Sequence, residues 1–365
     1  MASAEDPSLA ELGEQALIER LAAFAPVGQF HDDAALLDLQ GPQVLNTDVL
    51  VEGVHFSEIT TSGFDVGWRA AAANLSDLAA MGCREAWGLT VGLVAPGDTR
   101  WSWVEAVYTG LRTCLEPHGG QLLGGDCSGG AQRLLAITAL GPLARSRSGE
   151  PAPIRRADGR PGDLLVSTGH HGLSRLGLAL LQQPHPAGSW DLEGLDAGLR
   201  QRAIAAHQRP RPRLDAVAAL HASQPQGQPW RVGGTDSSDG LAAAAGAVAA
   251  ASGCRALLER QRLPLDPAMA GLPEATSWCL EGGEDFELVL ALEPVWAERL
   301  VAGLPGARII GSLAEASEAS AGVGSAVVGW LGEDGGVTAG KDAGAGFAHF
   351  QFLATISARS TTRWL

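Results

Sequence analysis

Side-chain oxygens recur along this chain in short groups: Asp32-Asp33, Asn46-Thr47-Asp48, Asn74 with Asp77, Asp126, and Asp236 with Asp239. No lysine stands near them to neutralise them, since the chain's lysine is Lys341. Oxygen ligands of this kind suit a hard cation such as Mg²⁺, and several such segments converging could hold ions that grip a polyphosphate. Asn46, Thr47 and Asp48 are expected where a strand begun at Val44-Leu45 gives out, a rigid place for a ligand. Asn74 and Asp77 lie three apart on an expected helix and therefore share a face. Asp236 and Asp239 are expected at a helix N-terminus, with the Ser237 or Ser238 hydroxyl as cap and exposed N–H groups favouring anions. Gly124-Gly125-Asp126 offers a turn whose backbone can approach a ligand, and Glu281-Gly-Gly-Glu284-Asp285-Phe-Glu287 sets acids behind glycines at a strand start.

The elements that must carry these residues are legible in outline. Ser8 and Glu11 form a capping box, with Leu9, Leu12, Leu17, Leu21 and Phe24 at helical spacing until Pro26 and Gly28 stop the helix. A loop entering a short strand follows at 31–37, and a second helix is expected from Asp65 to Met81 with Gly82 just past its end. Trp87–Ala95 and Leu134–Leu140 read as strands, Trp101–Leu115 as a helix, and 119–130 as a short strand between glycine clusters. The Arg-, Pro- and Gly-rich stretch 145–162 reads as a domain connection. Beyond it a strand is expected at 164–169, helices at 174–181, 214–220 and up to about Ala251, and a surface insertion at 184–198. Trp278–Glu284 reads as strand or turn, followed by a strand at 286–292. Strands interleaved with helices give an α/β or α+β fold, and 365 residues suggest two domains, 1–150 and 151–365.

A net charge of −15 argues against nucleic-acid or anionic-membrane partners, which need a basic footprint. Gly335-Gly-Val-Thr-Ala-Gly340-Lys341 has P-loop spacing, but Asp342 stands where Ser or Thr is required, so a glycine-rich turn is the better account. Five cysteines without a C-x-x-C pair exclude a zinc or disulfide framework. The acidic first residues lack an apolar signal core and no run is long enough to span a bilayer, so a soluble, cytoplasmic protein is expected.

Taken together the motifs resemble the thiamine-monophosphate kinase family, within the larger group that includes aminoimidazole-ribonucleotide synthetase and selenophosphate synthetase. The matching stretches are Asp32-Asp-Ala-Ala, Asn46-Thr-Asp-Val-Leu-Val-Glu-Gly-Val-His-Phe56, Asn74-Leu-Ser-Asp-Leu-Ala-Ala-Met-Gly82 and Gly124-Gly-Asp126. They continue with Arg156 ahead of Pro161-Gly-Asp163, Asp236-Ser-Ser-Asp-Gly-Leu241, Gly282-Gly-Glu-Asp-Phe-Glu287 and Gly346-Phe-Ala-His-Phe350. The resemblance implies a two-domain aminoimidazole-ribonucleotide-synthetase-like fold whose first domain pairs its sheet across a homodimer, with the site between the domains. It implies Mg²⁺-dependent transfer of the ATP γ-phosphoryl group to thiamine monophosphate, a step of thiamine diphosphate biosynthesis. By it, Asp33, Asn46, Thr47, Asp48, Asp77, Asp126, Asp236 and Asp239 are magnesium ligands. Of these Asp126, Asp236 and Asp239 count as catalytic. Tyr108, Gly125, Asp126, Arg156 and Ser238 contact ATP, and His55, Glu284 and Phe347 contact thiamine monophosphate. A carboxylate with an aromatic face suits a cationic thiazolium ring.

The chain departs from the family pattern at Phe30-His31 before the Asp-Asp pair, at Cys127-Ser-Gly-Gly130 where the family has an arginine-bearing run, and at Phe286 for tyrosine. Two alternatives share parts of the pattern: a related ATP-dependent synthetase, and a non-catalytic nucleotide- and metal-binding paralogue. The selenophosphate branch asks for a reactive Cys and a lysine near the N-terminus, and nothing before Asp32 supplies them.

Overall fold

The computed structural model describes residues 6–30, 34–182, 194–316, 328–331 and 337–339. Helix α1 (Leu9–Leu21) starts at the expected capping box: Ser8 accepts from the Glu11 N–H while Glu11 accepts from the Ser8 N–H, 2.8 Å away. Strand β1 (Gln43–Val51) follows, then α2 (Gly63–Ala80), capped by a second box made by Ser62 and Asp65. Gly82, at φ +101°, ends that helix as expected. Strand β2 (Gly88–Ala95), helix α3 (Trp101–Leu115) and strands β3 (Gln121–Gly129) and β4 (Leu134–Pro142) complete the first half. Helices α2 and α3 cross in direct backbone contact: a Cβ on Gly67 would lie 1.9 Å from the Val107 carbonyl oxygen, and one on Gly110 would lie 2.0 Å from that of Phe64.

These four strands form one sheet in the order β1-β4-β2-β3, antiparallel except for the parallel β2–β3 pair. Alternation gives it two unlike faces. Leu135, Ile137, Ala139, Leu89, Val91 and Leu93 are buried on the face covered by the helices. The opposite face leaves Leu45 67% and Val49 43% exposed, in register with Leu140 and Ala136.

The second half contains β5 (Leu164–Ser167), α4 (Leu173–Leu181), α5 (Ala197–Gln208), α6 (Leu214–Ser223), β6 (Gly233–Asp236), α7 (Leu241–Ala251) and β7 (Cys254–Leu258). After these come α8 (Ala275–Glu281), β8 (Leu288–Leu292), α9 (Pro294–Gly303), β9 (Arg308–Glu315), β10 (Val328–Leu331) and β11 (Val337–Ala339). Its seven strands run β11-β10-β7-β9-β5-β8-β6, mostly antiparallel. One hydrophobic cluster joins α2 and the first sheet to Leu214–Leu220, Leu288–Leu292 and Trp296–Leu304, so the two sheets share a core. That puts α2 between the sheets, contacting both β1 and β6.

Three local expectations change. Residues 34–42 contain no strand. Trp278–Glu281, read as strand or turn, belongs to helix α8, whose Trp278, Cys279 and Leu280 are buried in the second half. Seven residues are too short a run for the helical period to show there. The strand after it begins only at Leu288, because Glu284 and Phe286 adopt positive φ of +56° and +52° that a strand cannot hold. Among the described residues no helix is long and apolar enough to cross a membrane.

Candidate active site

Asn46, Thr47 and Asp48 lie in the middle of β1, not at its end, because the strand stays paired with β4 through Val51. The two-residue period therefore splits them. Asn46 faces α2, where its Nδ2 donates to Asn74 Oδ1 at 3.1 Å and Asp77 Oδ2 at 2.9 Å. Its own Oδ1 is buried without a hydrogen-bond partner. Asp48 shares that face, and the Thr47 hydroxyl lies on the other, 2.8 Å from that of Thr138.

Asp236 is the last residue of β6, and a turn carries Ser237, Ser238 and exposed Asp239 before α7 begins. The expected serine cap is absent: the N-cap is Gly240, whose φ of +102° makes the entry. The hydroxyls are engaged elsewhere. Ser237 accepts from the Glu287 N–H at 3.2 Å, and Ser238 donates to Asp236 Oδ1 at 3.3 Å. The second Asp236 oxygen accepts from buried Ser76 on α2 at 2.8 Å. Arg156 donates through Nε to Thr235 at 3.2 Å, beside the same carboxylates.

Asp77 bears most of the repulsion among these acids. Burial, then Asp236 and Asp48, push Asp77 up to about 7. Burial is also the main cause for Asp236, with Asp48 adding to it, and for Asp48 itself. Carboxylates that repel in this way, beside an orphaned amide oxygen, fit a hard cation with oxygen ligands. Among the described residues no three His, Cys, Asp or Glu side chains are close enough to hold an ion by themselves. Such a set suits Mg²⁺, which takes one or two carboxylates and completes its shell with water and substrate phosphates.

Two turns back along α2, Arg69 and Glu284 form a buried pair at 2.5 Å, with a third of the Glu284 side chain still exposed. Burial opposes the Glu284 charge, but Arg69 and His207 outweigh it and hold the carboxyl below its ordinary range. His207 is pushed down to about 4, chiefly by burial, and is neutral near pH 7. His55 accepts from the Val51 N–H through Nδ1 at 3.1 Å, which places the proton of its neutral ring on Nε2.

Asp126, Gly125 and Tyr108 lie apart from this cluster. Asp126 is exposed on β3, in register with Gly92, Ala136 and Val49, hence on the open face and at the sheet edge opposite β1. Three interstrand spacings, about 14 Å, separate those edges. Gly125 is glycine for a packing reason, since a Cβ there would lie 2.1 Å from the Val91 carbonyl oxygen. Tyr108 is 3% exposed and, with Phe24, Pro26, Leu111, Arg112 and Leu122, lines an apolar cavity of about 340 Å³. Asp33 and Phe347 lie outside the described residues, as does the Gly335–Lys341 turn apart from its three strand residues.

The first-half sheet and its helices coincide with a match, over residues 31–143, to the family described as AIR synthase related protein, N-terminal domain. Thiamine-monophosphate kinase of Synechococcus elongatus is 48% identical over 313 residues, 85% of this chain and 91% of that protein. The chain belongs to the thiamine-monophosphate kinase family. The crystal structure of thiamine-monophosphate kinase from Stenotrophomonas maltophilia K279a superposes with a TM-score of 0.68 at 32% identity, covering 82% of this chain and 94% of that one. A structure of AaThiL complexed with AMPPCP and TMP gives 0.63 at 26% identity, covering 87% and 94%.

For a thiamine-monophosphate kinase family member, the residues that sequence reasoning left unnamed are Ser76 and Arg69, which hold the others, as does Asn74, already paired with Asp77 on its helix face. Asn74 orients Asn46 and is itself fixed by the Ala70 carbonyl at 2.9 Å. Ser76 and Arg69 were detectable as polar residues on a helix otherwise filled with alanine and leucine. Asp65, Arg69, Asn74 and Ser76 are all buried there, so the polar stripe is no solvated face.

Proposed function

We propose that this chain transfers the γ-phosphoryl group of ATP to the phosphate of thiamine monophosphate, giving thiamine diphosphate and ADP. The observation that carries this reading is the arrangement along α2. Arg69, with Glu284 and the His55 turn, stands seven residues from Ser76, with Asp236, Asp48 and Asp77. Seven residues are two helical turns, roughly 10 Å on one face, a span fitting a ring at one end and a phosphate at the other. The AaThiL complex holds AMPPCP, an ATP analogue, together with TMP, which supports the same pairing here.

Asn46, Asp48, Asp77 and Asp236 would hold Mg²⁺, joined by Asp33, Thr47, Asp126 and Asp239. Such an ion neutralises phosphate charge and aligns donor with acceptor. Arg156 and Ser238 stand beside the carboxylates, where they bind and orient the nucleotide phosphates. His55 presents Nε2–H as a donor, which positions the acceptor phosphate and removes no proton. None need be removed: a phosphomonoester has its second pKa at about 6 and is a dianion near neutrality. Burial pushes the Cys127 thiol up to about 11, so it stays protonated and makes a poor covalent carrier. Transfer is therefore direct and in line, with inversion at phosphorus.

The working form is a homodimer. The open face of the first sheet carries exposed Leu45 and Val49, and among the described residues no further strand pairs with its two edge strands. A two-fold pairing of that sheet would cover both and bring Asp126, on the open face, to the interface between subunits. Five free cysteines fit a reducing, cytoplasmic setting. The test is ADP release by the purified chain with Mg²⁺ and ATP, with and without thiamine monophosphate, together with detection of thiamine diphosphate. ADP release that ignores the acceptor, or an absence of thiamine diphosphate, would overturn the reading.

A further inference from the structure

Arg69 is 3% exposed and ties together three segments distant in sequence. Its Nη1 donates to the His207 carbonyl at the end of α5. Its Nη2 donates to Glu284 Oε1 at 2.5 Å and lies 3.4 Å from the His55 carbonyl. The Nε is buried without a partner, so the fork is aimed by its two terminal nitrogens. The main chain of Glu284 is fixed independently. Its N–H donates to the Ser238 carbonyl at 2.7 Å, and its backbone sits at φ +56°, a conformation that costs a non-glycine residue strain. With the backbone held by the Asp236–Asp239 turn, the direction of the carboxylate is left to Arg69. Glu284 Oε1 is occupied by the guanidinium, and Oε2 stands 3.7 Å from Nδ1 of His207.

Building on the kinase reading above, we propose that Arg69 is a positioning residue for the acceptor. It aims Glu284 and the His55 turn at one point, so that a cationic ring meets the carboxylate in a single orientation. The guanidinium weakens the attraction of Glu284 for a cation by neutralising part of its charge, and gives direction in exchange. A bare carboxylate on this half-buried turn would attract a cation without orienting it. A planar fork reaching two carbonyls and a carboxylate is a task that a lysine ammonium performs only in part, so Lys at this position keeps the charge and loses the geometry.

The experiment compares Arg69→Met, Arg69→Lys, Glu284→Gln and the Arg69→Lys/Glu284→Gln pair by steady-state kinetics, with circular dichroism for folding. Arg69→Met should raise KM for thiamine monophosphate by about tenfold or more while KM for ATP stays within about twofold, and Arg69→Lys should fall between it and wild type. The double variant should be no worse than Glu284→Gln alone, because Arg69 acts through Glu284. If Arg69→Met does not fold, the Lys/Gln cycle decides. A rise in both KM values together, an unmoved acceptor KM, or Lys and Gln effects that simply multiply would overturn the proposal. Were the wild-type chain to consume no ATP with thiamine monophosphate, the kinase reading would fail instead. Calorimetric binding of thiamine monophosphate to wild type and to Arg69→Lys would then judge Arg69 alone, equal affinities counting against it.

Discussion

The Ser76 hydroxyl on α2 donates to Asp236 Oδ2 at 2.8 Å, joining the first half of the fold to the end of β6 across 160 residues of sequence. Asp236 is 7% exposed, and its second oxygen is met by Ser238, so each lone carboxylate oxygen has one neutral donor. Ser76→Ala removes one of them with little change in volume. A hydrogen bond to a charged group is worth about 1.5–3 kcal/mol, so the Mg²⁺ concentration for half-maximal activity should rise roughly tenfold. An unchanged Mg²⁺ titration would show that Ser76 serves packing only.

Asp236→Asn should abolish turnover, by about a thousandfold or more, and leave the fold intact. Asp236 and Asp48 raise Asp77 in the metal-free protein, and Asp48 raises Asp236, so neutralising Asp236 removes repulsion and the midpoint of thermal unfolding should hold or rise. Wild-type activity at limiting Mg²⁺ would refute the role given to Asp236. A large loss of stability would show instead that the carboxylate is structural.

The fold was legible where local chemistry is explicit. The capping box at Ser8, the apolar alternation of β2 and β4 and the left-handed Gly82 each follow from neighbouring residues, whereas the second box, at Ser62, lies ahead of the helix start expected at Asp65. What failed was inference about ends. Asn46-Thr47-Asp48 looks like a strand terminus because three polar residues interrupt an apolar run, yet the strand continues, its inner face supplied with partners by α2 and its outer face open. Asp236-Ser-Ser-Asp239 looks like a helix cap, but Glu287 and Asp236 claim the hydroxyls, and glycine makes the entry. The acid-bearing motifs could be found from sequence. The separation of Asp126 from Asp48 could not, because it depends on strand order, and β3 lies beyond β4 and β2.

The metal-free protein should lose stability between about pH 6.5 and 8. Asp285, accepting from the N–H groups of Gly172 at 2.7 Å and Ser174 at 3.0 Å, is raised by burial to about 7, as is Asp77. A carboxyl whose folded pKa exceeds its unfolded value contributes stability at low pH and loses it as pH rises through the folded pKa. Buried His171 and His207 and half-buried His221, pushed down to about 3, 4 and 4, act in the opposite sense, an effect that fades as pH rises past their unfolded value near 6.5. Mg²⁺ should flatten the part due to Asp77 and leave that of Asp285, and Asp285→Asn should do the reverse. Unfolding midpoints that climb from pH 6.5 to 8 without metal would contradict this account.

Asp126 and Asp236 should complement each other between subunits. Within one chain Asp126 lies on the open face at the β3 edge, and the Asp48–Asp77–Asp236 group lies on the covered face beside β1, some three strand spacings (about 14 Å) away. No side-chain rotation crosses a sheet, so a site using all four acids needs Asp126 of a second copy brought in at the β1 edge, beside the Asp48–Asp77–Asp236 group. Asp126→Asn and Asp236→Asn should each be inactive as pure proteins. Mixed one to one, unfolded and refolded together, half of the dimers carry one chain of each kind. In such a dimer one site takes both defects and the other takes none, so activity should return to about a quarter of wild type. Leu45→Asp, which charges the face that the pairing would bury, should yield a monomer by light scattering and remove the recovered activity. Refolded mixtures that stay as inactive as the separate variants would show that Asp126 serves its own chain or no site at all.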